Sequence, residues 1–230
     1  MKKNTANIIT LMSLFCAFYS INETFIEHYI GAIYLIILAF LFDGLDGKIA
    51  RIMHSSGEFG KELDSLVDAI SFGVAPAFLF YYYYHLYSVQ YGFIIPFIYV
   101  ACVVLRLARF NVTTSRISKK YFIGLPCPAA AIAITSLIYL QIKNYNISDM
   151  YAILVILTIS VLMVSNIYYF SFKNLESLMK KTRLILILPL LFIVLVFSVK
   201  EPVILFTLIF MYITSGPARS AILWLTHRYT

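Results

Sequence analysis

The chain has 230 residues, of which 61% are apolar and only 13% are charged. Soluble domains carry roughly 45 to 50% apolar and about 25% charged residues, so this composition excludes an ordinary soluble domain and predicts a membrane protein. The net charge of +7 does not indicate nucleic-acid binding, because the basic residues are spread between apolar runs. Cys16, Cys102 and Cys127 lie in separate apolar segments without metal-binding or redox spacing, and we interpret them as packing residues.

Apolar runs separated by polar breaks predict an all-α, polytopic membrane bundle of about eight transmembrane helices. We expect these runs to form a single membrane-embedded domain, residues 1–230. The fifth and seventh runs are short, so a count of six or seven helices stays open. The runs are 7–21, 28–53, 60–84, 91–110, 127–142, 149–170, 183–198 and 202–224.

The basic residues predict the orientation of these helices. With both termini in the cytoplasm, every one of the 18 lysines and arginines except Lys143 and Lys200 falls on the cytoplasmic side. Lysine and arginine accumulate in cytoplasmic loops, so this pattern favours eight helices with both termini cytoplasmic. The tyrosine run 81–84 then lies at the outer interface, where aromatic rings settle among headgroups. We expect a bacterial inner membrane as the location, and an archaeal or organellar membrane is the alternative.

Four aspartates stand in or beside the second and third runs: Asp43, Asp46, Asp64 and Asp68. Residues three or four apart share a helical face, so each pair forms one acidic face. A hairpin that turns near Ser55 brings both faces to equal depth near the cytoplasmic surface. Two carboxylates about 5 Å apart repel by about 3 kcal/mol at an effective dielectric near 20. Divalent cations relieve that repulsion and prefer carboxylate oxygens, so the sequence predicts a two-metal centre.

The alternative is that the aspartates form two solvated faces that nearby cations neutralise. Lys48, Arg51 and Lys61 are the available cations, but they alternate with the acids instead of matching them one for one. Glycines beside the carboxylates, such as Gly44 and Gly47, allow a ligand to approach closely. Close packing of small residues between helices would explain the glycines equally well.

The acidic segment resembles a known family signature. The stretch DGLDGKIAR (43–51), followed after eight residues by GKELDSLVD (60–68), is similar to that of the CDP-alcohol phosphatidyltransferases at every fixed position. That signature reads D-x-x-D-G-x-x-A-R, eight residues, G-x-x-x-D-x-x-x-D. Three further segments, ELDSLVDAISFGVAPA (62–77), RLARFN (106–111) and YFIGLPCPAAA (121–131), resemble the serine-transferring branch of the family.

The resemblance implies roles for individual residues. Asp43, Asp46 and Asp64 would bind metal, and Asp68 would bind the second metal and act as the general base. The implied cofactors are two divalent cations, Mg²⁺ or Mn²⁺; the implied substrates are CDP-diacylglycerol and L-serine, and the implied assembly is a homodimer among membrane lipids. The residues implied to contact the CDP-lipid are Asn7, Thr10, Gly47, Arg51, Gly57 and Gly60.

Two arginines are candidates for binding the carboxylate of serine. Arg106 and Arg109 lie three residues apart at the cytoplasmic end of the fourth run, which places them on one helical face. A guanidinium binds a carboxylate through two parallel hydrogen bonds. The alternative is that both arginines only anchor the helix end or contact lipid phosphate.

Three other functions compete with serine transfer. A sister enzyme of the same family would use glycerol 3-phosphate, inositol phosphate or choline as the acceptor. A divalent cation transporter would also contain buried acids, but it would favour acids near the membrane midplane and broken or repeated helices. A noncatalytic membrane subunit would not explain the acidic cluster.

Overall fold

A computed structural model describes residues 2–52, 57–113, 121–170 and 202–227 of the chain. A six-residue π-helical segment, Ala69–Val74, joins α3 to α4, and a short 3-10 turn, Leu86–Ser88, follows α4. The strands are β1 (Tyr121–Ile123) and β2 (Tyr168–Phe170). The helices are α1 (Lys2–Phe25), α2 (Tyr29–Ile52), α3 (Glu58–Asp68), α4 (Ala75–Tyr83), α5 (Ile94–Thr113), α6 (Cys127–Ile142), α7 (Asp149–Val164) and α8 (Pro202–His227).

Several of these helices are suited to a lipid bilayer. Within the described residues, four helical stretches are long and apolar enough to cross it: Ala6–Phe25, Tyr29–Gly47, Glu58–Tyr83 and Ile94–Val112. The third of these stretches consists of α3, the π-helical segment and α4. The prediction of a mostly helical integral membrane protein is therefore confirmed. The count of eight helices and the cytoplasmic termini stay predictions, and the predicted run 183–198 lies outside the described residues.

A small sheet departs from the all-α prediction. The run predicted to continue to residue 170 ends as a helix at Val164, and β2 then pairs antiparallel with β1. Just beyond β1, Gly124 adopts φ 77° and donates its N–H to the Ile167 carbonyl at 2.8 Å. Aromatic residues in β2 suit a strand as well as a helix, so hydropathy alone did not separate the two.

Helix α6 forms the centre of the bundle. Its side chains are buried nearly all the way round, and it packs against α2, α4, α7 and α8. A helix that is apolar on every face belongs in a protein interior. Its alanine-rich first half lets neighbouring helices approach closely. Since α6 begins at Cys127, its N-terminus lies at the end of the bundle that carries the acidic residues.

The π-helical segment lies directly after Asp68 and is fixed by α5. In a π-helical turn the hydrogen bonds run from residue i to i+5, which disturbs the regular pairing of the backbone carbonyls. The Tyr99 hydroxyl of α5 donates to the Phe72 carbonyl at 2.6 Å, and both residues are fully buried. Gly73 makes room for α5, because a Cβ there would lie 3.2 Å from Val103. The end of α3 is thus held by a specific polar contact.

Hydroxyl groups join the same segment to the first two helices. The Ser13 hydroxyl of α1 donates to the Ala39 carbonyl of α2 at 2.9 Å and lies 3.5 Å from the Ser71 hydroxyl. Both serines are buried. Helices α1 and α2 and the π-helical segment therefore meet at one polar point in an apolar core.

Replacing Tyr99 with Phe is expected to destabilise the fold. The Phe72 carbonyl would be left without its buried donor, which costs about 1 to 3 kcal/mol. Thermal unfolding of the detergent-solubilised protein, followed by circular dichroism, should show a lower Tm. Tyr91→Phe, in the exposed loop before α5, is the matched control and should leave the Tm unchanged. An unchanged Tm for Tyr99→Phe would contradict the structural role of this hydrogen bond.

Candidate active site

An acidic cluster forms where α2 and α3 face each other. One carboxylate oxygen from each of Asp43, Asp64 and Asp68 lies within 4.8 Å of the other two, and all three side chains are partly buried. Asp43 comes from α2, whereas Asp64 and Asp68 occupy successive turns of α3. The structure thus brings together three of the four aspartates singled out by their spacing. We call these three residues the acidic triad.

Asp46 lies beside the acidic triad and outside its group of closely spaced oxygens. It is only 4% exposed, and its Oδ2 has no hydrogen-bond partner among the described residues. Its side chain contacts Thr10 of α1, and it is close enough to Asp64 for their charges to interact. A buried carboxylate oxygen without a donor is costly. The site therefore holds a fourth acid that is suited to an additional positively charged ligand.

The acidic triad fits a divalent cation. Oxygens on opposite sides of one ion are separated by about 4.2 Å for Mg²⁺ and about 4.8 Å for Ca²⁺, twice their usual ligand distances. The spacing of up to 4.8 Å therefore needs only a small movement of the side chains to close around an ion. The orphaned oxygen of Asp46 adds a further donor nearby. Carboxylates are the ligands that Mg²⁺ and Mn²⁺ prefer.

Three of the residues expected to contact the CDP-lipid, Asn7, Thr10 and Gly60, lie near one another or near Asp46. A Cβ placed on Gly60 of α3 would be 3.6 Å from Asn7 Oδ1 of α1, so these two positions are adjacent. The Thr10 hydroxyl, one turn further along α1, donates to the Ala6 carbonyl at 3.1 Å. The side chain of Arg51 lies outside the described residues.

Three glycines in α2 and at the start of α3 have no close neighbours among the described residues. A Cβ placed on Gly44, Gly47 or Gly57 would meet nothing within 4 Å in the described part of the chain. Tight packing of a neighbouring helix would instead produce close contacts at these positions. Among the described residues, no neighbouring helix packs closely against Gly44 or Gly47, as the expectation of a ligand beside the acids requires.

Arg109 of α5 forms hydrogen bonds with β1 and with the end of α7. Its Nη1 donates to the Val164 carbonyl at 2.9 Å and to Asn166 Oδ1 at 3.2 Å. Its Nη2 donates to the carbonyls of Ile123, Met163 and Ser165 at 3.0 to 3.3 Å. The last carbonyls of a helix lack intrahelical donors, and a cation also complements the helix dipole there. Arg109 therefore caps α7 and holds it against β1.

Arg106 has a different environment. It is 7% exposed, its Nη1 donates to the Cys127 sulfur at 3.2 Å, and its guanidinium carbon lies 5.7 Å from the centre of the Phe110 ring. Its Nε has no hydrogen-bond partner among the described residues. The two arginines thus differ in their environments, although they share a helix and lie three residues apart.

Sequence reasoning treated Cys127 as a packing residue, and this was incomplete. Cys127 is fully buried, accepts the hydrogen bond from Arg106, and lies close enough to Asp43 and Asp68 for their charges to act on it. It is thus a neighbour of both the acidic triad and the buried guanidinium. The signal for this was its position in YFIGLPCPAAA, where Pro126 directly precedes the start of α6.

The part of the chain that contains this site is similar to known proteins. A family model described as CDP-alcohol phosphatidyltransferase matches residues 3–165. A relative from Helicobacter pylori strain 26695, named CDP-diacylglycerol--serine O-phosphatidyltransferase, is 35% identical over 195 residues, which cover 83% of this chain and 80% of the relative. Proteins with the same name from Methanocaldococcus jannaschii and Saccharomyces cerevisiae are 41% and 38% identical, and the matches cover 61% and 58% of this chain and 64% and 53% of theirs. The matched family region contains all four aspartates and Cys127.

Proposed function

Because the chain belongs to the CDP-alcohol phosphatidyltransferase family, a family of transferases, we propose that it transfers the phosphatidyl group of CDP-diacylglycerol to L-serine. The products are phosphatidylserine and CMP. The observation that carries the proposal is the acidic triad beside open glycine positions, within a chain whose relatives carry the name of this activity. The family match also argues against a cation transporter as the primary function.

The reaction is a displacement at phosphorus. The serine hydroxyl oxygen forms a bond to the phosphorus that carries diacylglycerol. The bond from that phosphorus to the oxygen shared with the cytidine phosphate breaks, and CMP leaves with its electron pair. Asp68 accepts the hydroxyl proton, a role suited to a partly buried carboxylate next to the reacting groups.

We assign two divalent cations, Mg²⁺ or Mn²⁺, to the acidic triad together with Asp46. When bound, they would neutralise charge that develops on the diphosphate. In the absence of a cation the triad carboxylates repel one another, so the protein supplies an arrangement that is favourable only with positive charge. Asp43, Asp46 and Asp64 are proposed to bind the first cation, to which the orphaned oxygen of Asp46 is available, and Asp68 is proposed to bind the second.

The CDP-lipid would bind between α1, α2 and α3. Asn7 and Thr10 offer polar groups from α1, while Gly47, Gly57 and Gly60 keep the approach free of side chains. Arg51 is proposed as a further contact to the lipid. The diphosphate would then lie beside the acidic triad, and the diacylglycerol chains would face the membrane.

The membrane arrangement is also part of the proposal. The chain would form a single domain over residues 1–230, with eight transmembrane helices, both termini in the cytoplasm, and a homodimeric assembly in a bacterial inner membrane. This orientation requires the acidic triad and Lys143 to lie on opposite sides of the membrane, and α6 runs from Cys127 near the triad to Ile142, directly before Lys143. The active site would then face the cytoplasm, where free serine is available.

Arg106 is the better candidate for the serine carboxylate, since Arg109 is engaged by backbone carbonyls. Arg106→Lys is therefore expected to raise the KM for L-serine about 10- to 100-fold, because hydrogen bonds to charged groups contribute about 1.5 to 3 kcal/mol. Arg109→Lys should instead lower the Tm by removing the cap of α7, with little change in KM. Serine-dependent CMP release and thermal unfolding of both variants check this pair. The opposite pattern would reassign the two arginines.

The proposed function is tested by CMP release from the purified, detergent-solubilised protein with CDP-diacylglycerol and Mg²⁺ or Mn²⁺. L-serine, glycerol 3-phosphate, inositol phosphate, choline and no acceptor are compared. Release that depends on serine supports the proposal. Release that depends on another acceptor would keep the chemistry and overturn the substrate, whereas no release with any acceptor would overturn the activity.

A further inference from the structure

The partner of Arg106 is unusual for a buried cation. A guanidinium that is shielded from water is normally paired with a carboxylate or with several carbonyls, as Arg109 is. Arg106 instead donates to a thiol, and its Nε has no partner among the described residues. The guanidinium therefore keeps donors and most of its charge for a ligand.

The thiol of Cys127 is in a position to orient that guanidinium. Cys127 begins α6 and is fully buried, so its sulfur is held by a rigid helix in the centre of the bundle. Sulfur is a weak acceptor and carries no full charge as a thiol, so it fixes the direction of the Arg106 fork without neutralising it. A carboxylate at this position would form an ion pair with Arg106, and the charge of the guanidinium would then be neutralised before a ligand binds.

The surroundings of Arg106 and Cys127 indicate which groups lie near the guanidinium. Cys127 lies close to Asp43 and Asp68, and Arg106 donates to it from α5. Tyr212 of α8 lies near enough for the Arg106 charge to act on it. Cys127 is thus a neighbour of both the Arg106 guanidinium and the acids that include the proposed base, an arrangement suited to an amino acid that carries a carboxylate and a hydroxyl.

We propose that Cys127 is a positioning residue for the acceptor: it holds the Arg106 guanidinium so that its free N–H groups bind the carboxylate of an amino-acid acceptor whose hydroxyl faces Asp68. This inference rests on the proposed function. It assigns Cys127 to acceptor selectivity, because an acceptor without a carboxylate gains nothing from the oriented guanidinium.

Two variants separate positioning from packing. Cys127→Val keeps an apolar side chain of similar size and removes the acceptor, whereas Cys127→Ser keeps an acceptor. Cys127→Val is expected to raise the KM for L-serine about 3- to 10-fold, a modest effect because sulfur is a weak acceptor, with kcat changed less than about 2-fold. Cys127→Ser should restore a KM within about 2-fold of the unmodified protein. Cys16→Val, in the buried part of α1, is the matched control and should change neither constant.

The measurement is CMP release by the full chain, with L-serine varied at saturating CDP-diacylglycerol and then the reverse. The KM for CDP-diacylglycerol should stay unchanged in Cys127→Val, which a general packing defect would not allow. An unchanged serine KM, or a parallel rise in both KM values that Cys127→Ser does not correct, would overturn the inference. If Cys127→Val does not fold, Cys127→Ala takes its place, and the same change in the KM for L-serine is expected. Absence of serine-dependent release from the unmodified protein would instead show that the proposed function has failed.

Discussion

Asp68→Asn is expected to lower the rate of serine-dependent CMP release by about 10²- to 10⁴-fold, the range for loss of a general base. The amide keeps the size of the side chain but cannot accept the serine proton, and it is a poorer ligand for a hard cation. Asp68 lies at the end of α3, directly before the π-helical segment, so its position is set by the surrounding helices. Initial rates of CMP release at saturating substrates measure the loss.

A stability measurement separates this chemical effect from misfolding. Asp68 shares the acidic triad with Asp43 and Asp64, so removing its charge relieves repulsion in the metal-free protein. The Tm of Asp68→Asn without metal should therefore equal or exceed that of the unmodified protein. Asp149→Asn, at the exposed start of α7, is the matched control and should retain full activity. An active Asp68→Asn protein would remove this residue from the proposed mechanism.

Removal of divalent cations is the second change with a large expected effect. A chelator should reduce CMP release to the background rate, and excess Mg²⁺ or Mn²⁺ should restore it, because the acidic triad is proposed to act only with bound cations. The same cations should raise the Tm of the chelated protein. A ligand at 100 times its Kd stabilises the folded state by about 2.7 kcal/mol.

The acidic triad predicts which residues mediate that stabilisation. Asp43→Asn and Asp64→Asn should each reduce the shift in Tm that Mn²⁺ produces, whereas Asp149→Asn should preserve it. Calorimetric titration of Mn²⁺ into the chelated protein provides a second measurement. Activity that survives complete chelation, or a Mn²⁺ shift that is the same in all variants, would contradict the metal assignment.

The sequence predicted the helical framework well where hydropathy alone determines structure. The run expected over 28–53 is observed as Tyr29–Ile52, and the run expected over 127–142 has the observed bounds of α6. Lys143 and Asn144 directly follow α6, so the end of this helix is visible in the chain itself. The convergence of Asp43 with Asp64 and Asp68 was also predictable, since helical spacing and one hairpin suffice to bring them together.

The remaining features depend on contacts between distant segments. Arg106 and Arg109 are equivalent by spacing, and only the carbonyls at the end of α7 distinguish them. Cys127 looks like any apolar residue until α5 brings a guanidinium to its sulfur. The strand β2 required a partner some 45 residues away in the chain, which a local pattern does not reveal. Tertiary contacts therefore decide which polar residues belong to the site.

The π-helical turn after Asp68 accommodates one more residue than a regular helix would. A residue in an α-helix turns by about 100°, and a residue in a π-helix turns by less, so the six residues 69–74 rotate the chain about as far as five α-helical residues would. If all six became α-helical, α3 would rotate by roughly 100° relative to α4. Asp64 and Asp68 would then point away from Asp43, although every side chain of the acidic triad would still be present. The wider turn therefore acts as an angular spacer between the acidic half of this helix and its aromatic half.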